Sequence, residues 1–207
     1  QWDIFAPKPG GSRYGGKTEF FGQCKNPIHT DPLAGIVKPG DKVVIVTADG
    51  TRPVPNRLLI PWILEQLPVP EKNVTVLLGN GGHRANTPGE LVEMFGKKVC
   101  GAVKIVNHDC ADDSCLTLAG QAGDGSPVWL NRLYLEADKR IVVGLIEPHF
   151  FCGFSGGDKG VVPGVAGMET ILALHRAELI AHPKSTWGYL EDNPIRRLIS
   201  EMVSFCP

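Results

Sequence analysis

The run KVVIVTA, at residues 42–48, decides the fold. Its β-branched side chains follow one another without the polar alternation of a half-exposed strand, which is typical of a strand covered on both faces in a parallel sheet. Similar apolar runs recur at NVTVLLG (73–79), AVKIVNH (102–108) and RIVVGLI (140–146). These four runs predict the strands of a parallel sheet.

Helical patterns lie between and after these strands. The first is predicted to begin near Asn56, with Pro61 as a possible kink, and the second to run from a Thr87–Pro88–Glu90 capping box to Gly96. The third is predicted to span 168–180, and the fourth to follow an Asp192 or Asn193 cap with Pro194 at its start. The segment 126–138 fits either a strand or a helix. Strands that alternate with helices indicate an α/β fold with a doubly wound, Rossmann-like and mostly parallel sheet.

Two segments are expected along the 207 residues. Residues 1–40 are rich in Gly, Pro and Lys and predict an irregular N-terminal segment, whereas residues 41–207 predict the α/β domain. The chain begins at Gln1 rather than Met and stops on a helical pattern, so we expect a fragment of a longer protein.

Composition and charge argue against several classes of partner. The formal net charge of −1 gives no electrostatic reason to expect binding to nucleic acid or to an anionic membrane surface. No apolar run approaches the roughly 20 residues that a bilayer-spanning helix needs, and no signal-peptide pattern is present. The sequence therefore predicts a cytoplasmic protein.

The six cysteines do not form a disulfide framework. Six in 207 residues are too few for a fold built on disulfides, and no CxxC pair occurs. Cys110 and Cys115 could pair or bind a metal, but their spacing fits no standard zinc site. Reduced and mostly buried thiols are the favoured interpretation.

Ligands of open α/β sheets bind beyond the carboxyl ends of the strands, so the loops that follow the strands are the candidate sites. After the first strand, Arg52 offers a planar fork for a carboxylate or phosphate, and Asp49 can orient that fork or a nearby imidazole. After the second strand, His83 follows three glycines that let a ligand approach the backbone. An Asx-turn with a solvent-exposed arginine, and a structural histidine, are the alternatives.

The loop after the third strand, NHDCADDS, holds His108 with Asp109, Asp112 and Asp113. These residue types could form a metal cluster. A solvated charged loop is the favoured interpretation.

The loop after the fourth strand, EPHFFCGFSGGDKGVVPG (147–164), carries His149 and Lys159 among five glycines. It matches neither the Walker A motif nor the GxGxxG fingerprint. Such a loop can still hold a phosphate through its backbone N–H groups, and a desolvated lysine can act as a covalent nucleophile. A solvated surface loop is the alternative.

The predicted helix after this loop contributes His175. By helical spacing His175 shares a face with Ile171, Leu172 and Leu179. The pattern favours a core histidine, although an imidazole on an apolar face can also ligate a metal.

Four motifs, in this order, resemble the N-terminal domain of the nickel-dependent lactate racemase family: DGTRPVP, GGHR, EPHFFCGFSGGDKGVVPG and METILALHRAEL. The resemblance runs from about residue 25 onward. It implies a two-domain enzyme, a racemase or epimerase of 2-hydroxy acids, whose C-terminal domain is absent from this chain.

The resemblance also implies a cofactor, the nickel-pincer nucleotide, which is a pyridinium mononucleotide that carries nickel. Lys159 would hold it through a covalent thioamide, within a loop that includes Ser155 and Gly156. His175 would ligate the nickel.

The same resemblance implies roles around the substrate. His83 and His149 would act as the acid/base pair, Arg52 would hold the carboxylate of the 2-hydroxy acid, and Asp49 would support it. A hydride would pass from the substrate to the cofactor and return on the other face, with histidine suited to both proton transfers near neutral pH.

Two positions depart from the family pattern. Its usual SGGRK is SGGDK here, and Cys152 stands where a small residue is common. Asp158 in place of a cation is expected to make the loop less favourable for an anion. It weakly favours an alternative function, a non-catalytic nucleotide- or phosphate-binding module.

Overall fold

A computed structural model describes residues 16–206 of the chain. Within them the helices are α1 (Lys17–Lys25), α2 (Leu33–Ile36), α3 (Asn56–Leu64), α4 (Pro88–Ala102), α5 (Arg132–Leu135), α6 (Met168–Leu174), α7 (Ala177–Ile180) and α8 (Pro194–Val203). The strands are β1 (Val43–Ala48), β2 (Val74–Gly79), β3 (Lys104–Asn107), β4 (Leu116–Gln121), β5 (Pro127–Asn131), β6 (Lys139–Val143), β7 (Pro148–His149) and β8 (Gly153–Phe154).

The central sheet of the described chain has four parallel strands in the order β3-β2-β1-β6. From β1 the chain passes through α3 to β2 and through α4 to β3, and it later returns to the other side of β1 as β6. The predicted α/β class with a mostly parallel sheet is confirmed. The strand order reverses between β1 and β6, and this is where an open sheet of this type forms its ligand crevice.

Both faces of β1 are buried, which explains its unbroken apolar sequence. Val44 and Val46 belong to one hydrophobic core, which also includes residues of β5, α6 and α8. Val43 and Ile45 belong to the second core, which lies against α3 and α4. A strand between two helix layers therefore needs apolar side chains at every position.

The last strand of the sheet is shorter than its sequence pattern. The predicted strand at 140–146 ends at Val143, the residue that pairs with Thr47 of β1. Strand β6 lies at the edge of the sheet, and Ile146 beyond it is exposed. The residues that follow Val143 are therefore free to leave the sheet and enter the small β7–β8 hairpin.

Two predicted helices contain a break. Helix α4 begins at the predicted capping box, loses helical geometry at Gly96 (φ 81°), and continues to Ala102. The predicted helix over 168–180 is two helices, because Arg176 adopts an extended conformation (φ −63°, ψ 143°) between α6 and α7. His175 is consequently the residue that caps α6 and not a mid-helix residue.

Two further predictions are resolved by local hydrogen bonds. The ambiguous segment 126–138 contains both β5 and α5. Helix α8 is capped by Asn193, whose side chain accepts hydrogen bonds from the backbone of Ile195 and Arg196.

The segment predicted to be irregular, 1–40, contains α1 and α2; residues 1–15 lie outside the described part of the chain. Phe20 of α1 stacks at 5.4 Å on Trp62 of α3, and Lys17 pairs with Glu65 at 2.7 Å. These contacts are long-range, so the weak local periodicity of the segment did not reveal the helices. The domain boundary at residue 40 stays a prediction.

The six cysteines are free thiols. The prediction that they are mostly buried holds for Cys110 and Cys152, whereas the other four are only partly buried. In the part of the chain that is described, no helix is long and apolar enough to cross a membrane.

Candidate active site at the carboxyl edge of the sheet

A cleft of about 430 Å³ opens at the carboxyl ends of β1, β2 and β6. All eight residues predicted to form the site line it: Asp49, Arg52, His83, His149, Ser155, Gly156, Lys159 and His175. They come from three loops and one helix end, so the sheet brings together groups that are far apart in sequence.

Asp49 and His83 form a hydrogen-bonded pair across two of these loops. The imidazole Nδ1 lies 2.7 Å from Asp49 Oδ2, and the Asp49 side chain is only 5% exposed whereas that of His83 is 54% exposed. The second carboxylate oxygen accepts hydrogen bonds from the amide and the hydroxyl of Thr51. Because the carboxylate only accepts, Nδ1 of His83 carries the hydrogen and Nε2 is left for a ligand.

Arg52 faces the cleft with a partner that the sequence did not reveal. Its Nε lies 3.4 Å from Glu147 Oε1, and both side chains are about 40% exposed. Its Nη1 makes long hydrogen bonds to Thr51. Sequence reasoning missed Glu147, because a glutamate before a proline carries no signal beyond that of a solvated carboxylate.

His149 lies among aromatic rings. It stacks on Phe150 with ring centroids 4.7 Å apart and meets Phe151 edge-on at 4.6 Å. Burial, followed by the positive charges of Lys159 and Arg52 and by His175, lowers the pKa of His149 to about 4. The imidazole is therefore neutral near pH 7 and able to accept a proton.

Lys159 lies in a 3₁₀ turn, Gly157–Gly160, whose first residue and the preceding Gly156 both have positive φ. Burial is the main cause that lowers the pKa of its amine, and the nearby cations Arg52 and Arg196 act in the same direction. A lowered pKa increases the fraction of free amine, which is the nucleophilic form.

The turn that carries Lys159 is held tightly against the next turn of the chain. A side chain on Gly164 would collide with the carbonyl oxygen of Gly160. Gly156 has φ +78°, and a Cβ there would lie 2.9 Å from Ile146. These glycines are needed because no side chain fits between the packed turns.

Ser155 fixes the start of the glycine-rich loop. Its hydroxyl donates to the carbonyl of Leu145 at 2.6 Å and accepts from the amide of Glu147 at 3.0 Å. The amide of Ser155 also donates to the Glu147 carbonyl at 2.8 Å. The hydroxyl hydrogen of Ser155 is already donated to Leu145 and is not available to a ligand. The contact of Ser155 with a cofactor stays a prediction.

The helical pattern favoured a position in the core for His175. The residue instead lies exposed at the end of α6. Its Nδ1 lies 2.7 Å from the carbonyl oxygen of Ile171, and its ring meets Phe151 edge-on at 5.4 Å. A carbonyl only accepts, so Nδ1 carries the hydrogen and the lone pair is on Nε2. This arrangement is the one that commonly orients a metal-ligating histidine.

Asp158 does not face the cleft. Its Oδ2 accepts a hydrogen bond of 2.7 Å from Ser200 of α8, and it is absent from the cleft lining. Asp158 was expected to make the glycine-rich loop less favourable for an anion. Its side chain points to α8 instead, so its position does not support that expectation.

The loop after β3 is not a metal cluster. His108 is buried, its Nε2 donates to the carbonyl of Ala166 at 2.9 Å, and its Nδ1 accepts from Asn131 at 3.0 Å. No group of three or more His, Cys, Asp or Glu side chains in residues 16–206 could hold a metal ion. The solvated-loop interpretation was right for the aspartates, and His108 is a structural residue.

Sequence comparison gives the family. A family model described as the lactate racemase N-terminal domain matches residues 4–188. A lactate racemase from Thermoanaerobacterium thermosaccharolyticum is 39% identical over 175 residues, which are 84% of this chain. The chain belongs to the lactate racemase N-terminal domain family.

Further matches are a second lactate racemase and two solved structures. A lactate racemase from Lactiplantibacillus plantarum is 39% identical over 174 residues, or 83% of this chain. The structure of the lactate racemase apoprotein from Thermoanaerobacterium thermosaccharolyticum matches with a TM-score of 0.85 at 35% identity, over 92% of this chain and 46% of that one. A crystal structure of a protein from Thermotoga maritima matches with a TM-score of 0.66 at 28% identity, over 84% of this chain and 46% of that one.

The chain spans 41% of the length of the two lactate racemases it matches. All residues that line the cleft fall within residues 4–188, which match the model of the lactate racemase N-terminal domain.

The nickel-pincer nucleotide implied by the family resemblance fits the residues present. The amine of Lys159 is shielded from solvent, and His175 has one nitrogen free for a metal. Seven glycines are among the residues that line the cleft: Gly79, Gly81, Gly82, Gly144, Gly156, Gly160 and Gly164. A planar group could approach the backbone closely there.

Proposed function

We propose that this chain is the cofactor-carrying part of a racemase or epimerase that inverts C2 of small 2-hydroxy acids, lactate-like substrates among them. The observation that carries the proposal is the convergence of a desolvated lysine amine, three imidazoles and one arginine on a single cleft. The 39% identity to lactate racemases supports the same reaction class.

Arg52 holds the substrate carboxylate in this proposal. A guanidinium presents paired N–H groups that match the two oxygens of a carboxylate. One edge of the Arg52 fork already contacts Glu147, and the rest of the guanidinium is open to a ligand.

His83 and His149 handle the hydroxyl proton on opposite sides of the substrate. His149 is neutral near pH 7 and can take the proton, whereas the Asp49 carboxylate stabilises the positive charge that His83 acquires when it carries one. Attachment of the cofactor to Lys159 would remove one of the positive charges that lower the pKa of His149, so that inversion in the other direction could exchange the two roles.

Lys159 and His175 would hold the cofactor. The amine of Lys159 would carry the covalent attachment, and His175 would offer Nε2 to nickel while the carbonyl of Ile171 fixes its ring. When bound, the nickel-pincer nucleotide supplies the acceptor for the hydride that leaves C2. Ser155 and Gly156 shape the loop around it.

A further domain completes the enzyme in this proposal. Large apolar side chains are exposed beside the cleft, among them Phe150 (59% exposed) and Trp187 (59% exposed). Their rings are 6.3 Å apart and form one surface. A second domain, of the kind that would account for the greater length of the relatives, would cover this surface and exclude water from the cleft.

The test is to express the chain together with cofactor-making enzymes and to measure its intact mass and nickel content. The wild-type chain should gain mass and bind nickel. Lys159→Ala should lose the added mass, and His175→Ala should keep the added mass but lose most of the nickel. In the complete protein, His83→Ala and His149→Ala should load cofactor normally and lose turnover.

A wild-type chain that gains neither mass nor nickel would reject the proposal. If it is instead stabilised against heat by nucleotides or phosphate, the alternative of a non-catalytic nucleotide- or phosphate-binding module is correct.

A further inference from the structure

The amine of Lys159 is an unpaired nucleophile on the wall of the cleft. Lys159 lines the cleft, and within the described residues 16–206 its amine has no hydrogen-bond or ion-pair partner. The exposed Lys184, by contrast, pairs with Asp192 at 2.6 Å. Burial lowers the pKa of the Lys159 amine and so increases its neutral fraction. Lys159 is therefore better suited than Lys184 to attack an electrophilic carbon.

Four side chains act electrostatically on this amine. Glu147 and Cys152 favour its protonated form, whereas the cations Arg52 and Arg196 favour its neutral form. The two arginines differ in position, because Arg52 lines the cleft whereas Arg196, on α8, does not. Arg52 is thus the one of these two arginines that can hold an anionic ligand in the same cleft as the amine.

His149 adds a neutral base to the amine and the guanidinium. Burial is the main cause that lowers the pKa of His149 to about 4, and the positive charge of Lys159 is the next. The imidazole is therefore unprotonated near pH 7 and can accept a proton that the amine gives up. The cleft thus combines a nucleophile, a base and a group that binds carboxylates.

We propose that the cofactor-free chain binds 2-oxo acids covalently, as a reversible imine between C2 of the acid and Nζ of Lys159, with the carboxylate held by Arg52. Nζ attacks the ketone carbon, and a proton passes from the nitrogen to the oxygen. The oxygen then leaves as water while the C=N bond forms. The reaction needs no oxidant or reductant, and addition of water reverses it.

The class of ligand follows from the two groups that hold it. A guanidinium matches the two oxygens of a carboxylate, and the carbon attacked by the amine must be next to that carboxylate or close to it. The cleft of about 430 Å³ has room for a small acid. This activity goes beyond the proposed function and shares with it only the assignment of a carboxylate to Arg52.

Reductive trapping tests the imine directly. The chain, produced without cofactor-making enzymes, is incubated near pH 7 with pyruvate and sodium cyanoborohydride, which reduces an imine to a stable secondary amine. The intact mass should rise by one pyruvic acid less one oxygen atom. Peptide mapping should place the first adduct on Lys159 and not on Lys184, and Lys159→Arg should lose it.

A second probe, pyruvamide, separates recognition of the carboxylate from reactivity of the amine. It has the same ketone but an uncharged amide in place of the carboxylate. Arg52→Met should lower the ratio of the trapping rates of pyruvate and pyruvamide by about tenfold. The ratio is the measurement because the loss of Arg52 also raises the pKa of Lys159, which slows the reaction with both probes.

Arg196→Met is the matched control for Arg52→Met. Arg196 also acts on Lys159 but lies outside the cleft lining, so this variant should change both trapping rates together and keep the wild-type ratio.

Two outcomes overturn the inference. Trapping that is no faster at Lys159 than at Lys184 would mean that the cleft does not promote the imine, and an unchanged ratio in Arg52→Met would mean that Arg52 does not hold the carboxylate. Failure of the proposed function is a separate result, because it would show as the absence of added mass and nickel after expression with cofactor-making enzymes. The trapping of pyruvate requires neither.

Discussion

At the scale of single residues, the orientation of two imidazoles is fixed before any ligand arrives. His83 donates from Nδ1 to a carboxylate and His175 donates from Nδ1 to a backbone carbonyl. Both acceptors are themselves held in place, by Thr51 in one case and by helix α6 in the other. Each ring thus presents the same nitrogen, Nε2, as the group available for chemistry.

Replacing Asp49 with Asn tests this orientation. The amide could donate to Nδ1 of His83, which would move the hydrogen of the neutral ring to Nε2 and remove the charge that stabilises a protonated His83. We expect kcat of the complete protein to fall by about 10²-fold or more, with cofactor content unchanged. Steady-state kinetics normalised to bound nickel provide the measurement.

The control is Asp192→Asn, because Asp192 is exposed and pairs with Lys184 and Arg197 on the surface. A kcat for Asp49→Asn within threefold of the wild type, or of Asp192→Asn, would contradict the role given to the Asp49–His83 pair.

The pKa of His149 predicts a loss of stability in acid. The pKa of His149 is about 4 in the folded chain, whereas the ordinary value of 6.5 applies in the unfolded chain. As the pH falls, the unfolded chain therefore binds the proton before the folded chain does. The free energy of unfolding should therefore fall as the pH drops from about 6.5 to about 4, and His149 should contribute nothing to the pH dependence above about 7. For this half-buried group we expect a loss of about 1 kcal/mol.

Denaturant unfolding of the wild type and of His149→Gln at pH 7, 5.5 and 4 measures this effect. His149→Gln should lose less stability in acid than the wild type, and the exposed His182→Gln should behave as the wild type does. An NMR titration in which the His149 ring protonates near pH 6.5 would show the prediction to be wrong.

Most residue identities around the cleft could be predicted because the residues lie in loops that follow strands. Arg52 and His83 come shortly after β1 and β2, Lys159 lies in the loop after β6, and strand ends of a parallel sheet meet at one edge. Glu147 could not be found in this way. Its position depends on the hydrogen bonds to Ser155, eight residues later, and no local pattern encodes them.

At the scale of elements, the glycine-rich loop is built as two turns in direct contact. The carbonyl of Gly160 lies where a side chain of Gly164 would be, and Gly79 of β2 is packed against the same pair. The strand end and both turns therefore form one rigid support for Lys159.

Gly164→Ala should disturb this support. A methyl group at this position has no room, and we expect the free energy of unfolding to fall by about 2 kcal/mol or more. Gly101→Ala is the matched control, since a Cβ on Gly101 of α4 would meet nothing within 4 Å. That substitution should raise stability by up to about 1 kcal/mol through helix propensity.

Chemical denaturation of both variants gives the two free energies. Equal stability of Gly164→Ala and the wild type would mean that the turns can separate at little cost.

Local signals predicted helix starts well and helix ends poorly. The capping box at Thr87 and the Asn193 cap are formed by side chains within three residues of the backbone groups they satisfy. Helix α6 ends where Arg176 becomes extended, and β6 ends where its pairing with Thr47 of β1 stops. Their boundaries could not be derived from periodicity alone.

At the scale of the whole molecule, the cleft is a consequence of strand order. The chain leaves β1 toward β2 on one side and comes back as β6 on the other, so the connections diverge above the sheet. The exposed aromatic side chains, Phe150 and Trp187, lie at one side of the opening that results.

Trp187 reports whether a further domain covers this surface. In the chain alone, acrylamide should quench its fluorescence readily, because its side chain is more than half exposed. In the complete protein we expect quenching of Trp187 to fall by about threefold or more as the surface is buried. The difference between the wild type and Trp187→Phe isolates the signal of this residue from the other tryptophans.

Equal quenching in the chain and in the complete protein would mean that the aromatic surface stays open to solvent. If Trp187→Phe unfolds at the same denaturant concentration as the wild type, misfolding of the variant is excluded as the cause of its lower fluorescence.

The contact between Asp158 and Ser200 bears on how family members should be sorted into groups. The residue just before the lysine is a tempting marker, because it stands inside the most recognisable motif and changes charge. In this chain it contacts helix α8 and does not line the cleft. A classification by this residue alone would therefore follow a contact behind the loop and not the groups that face a ligand.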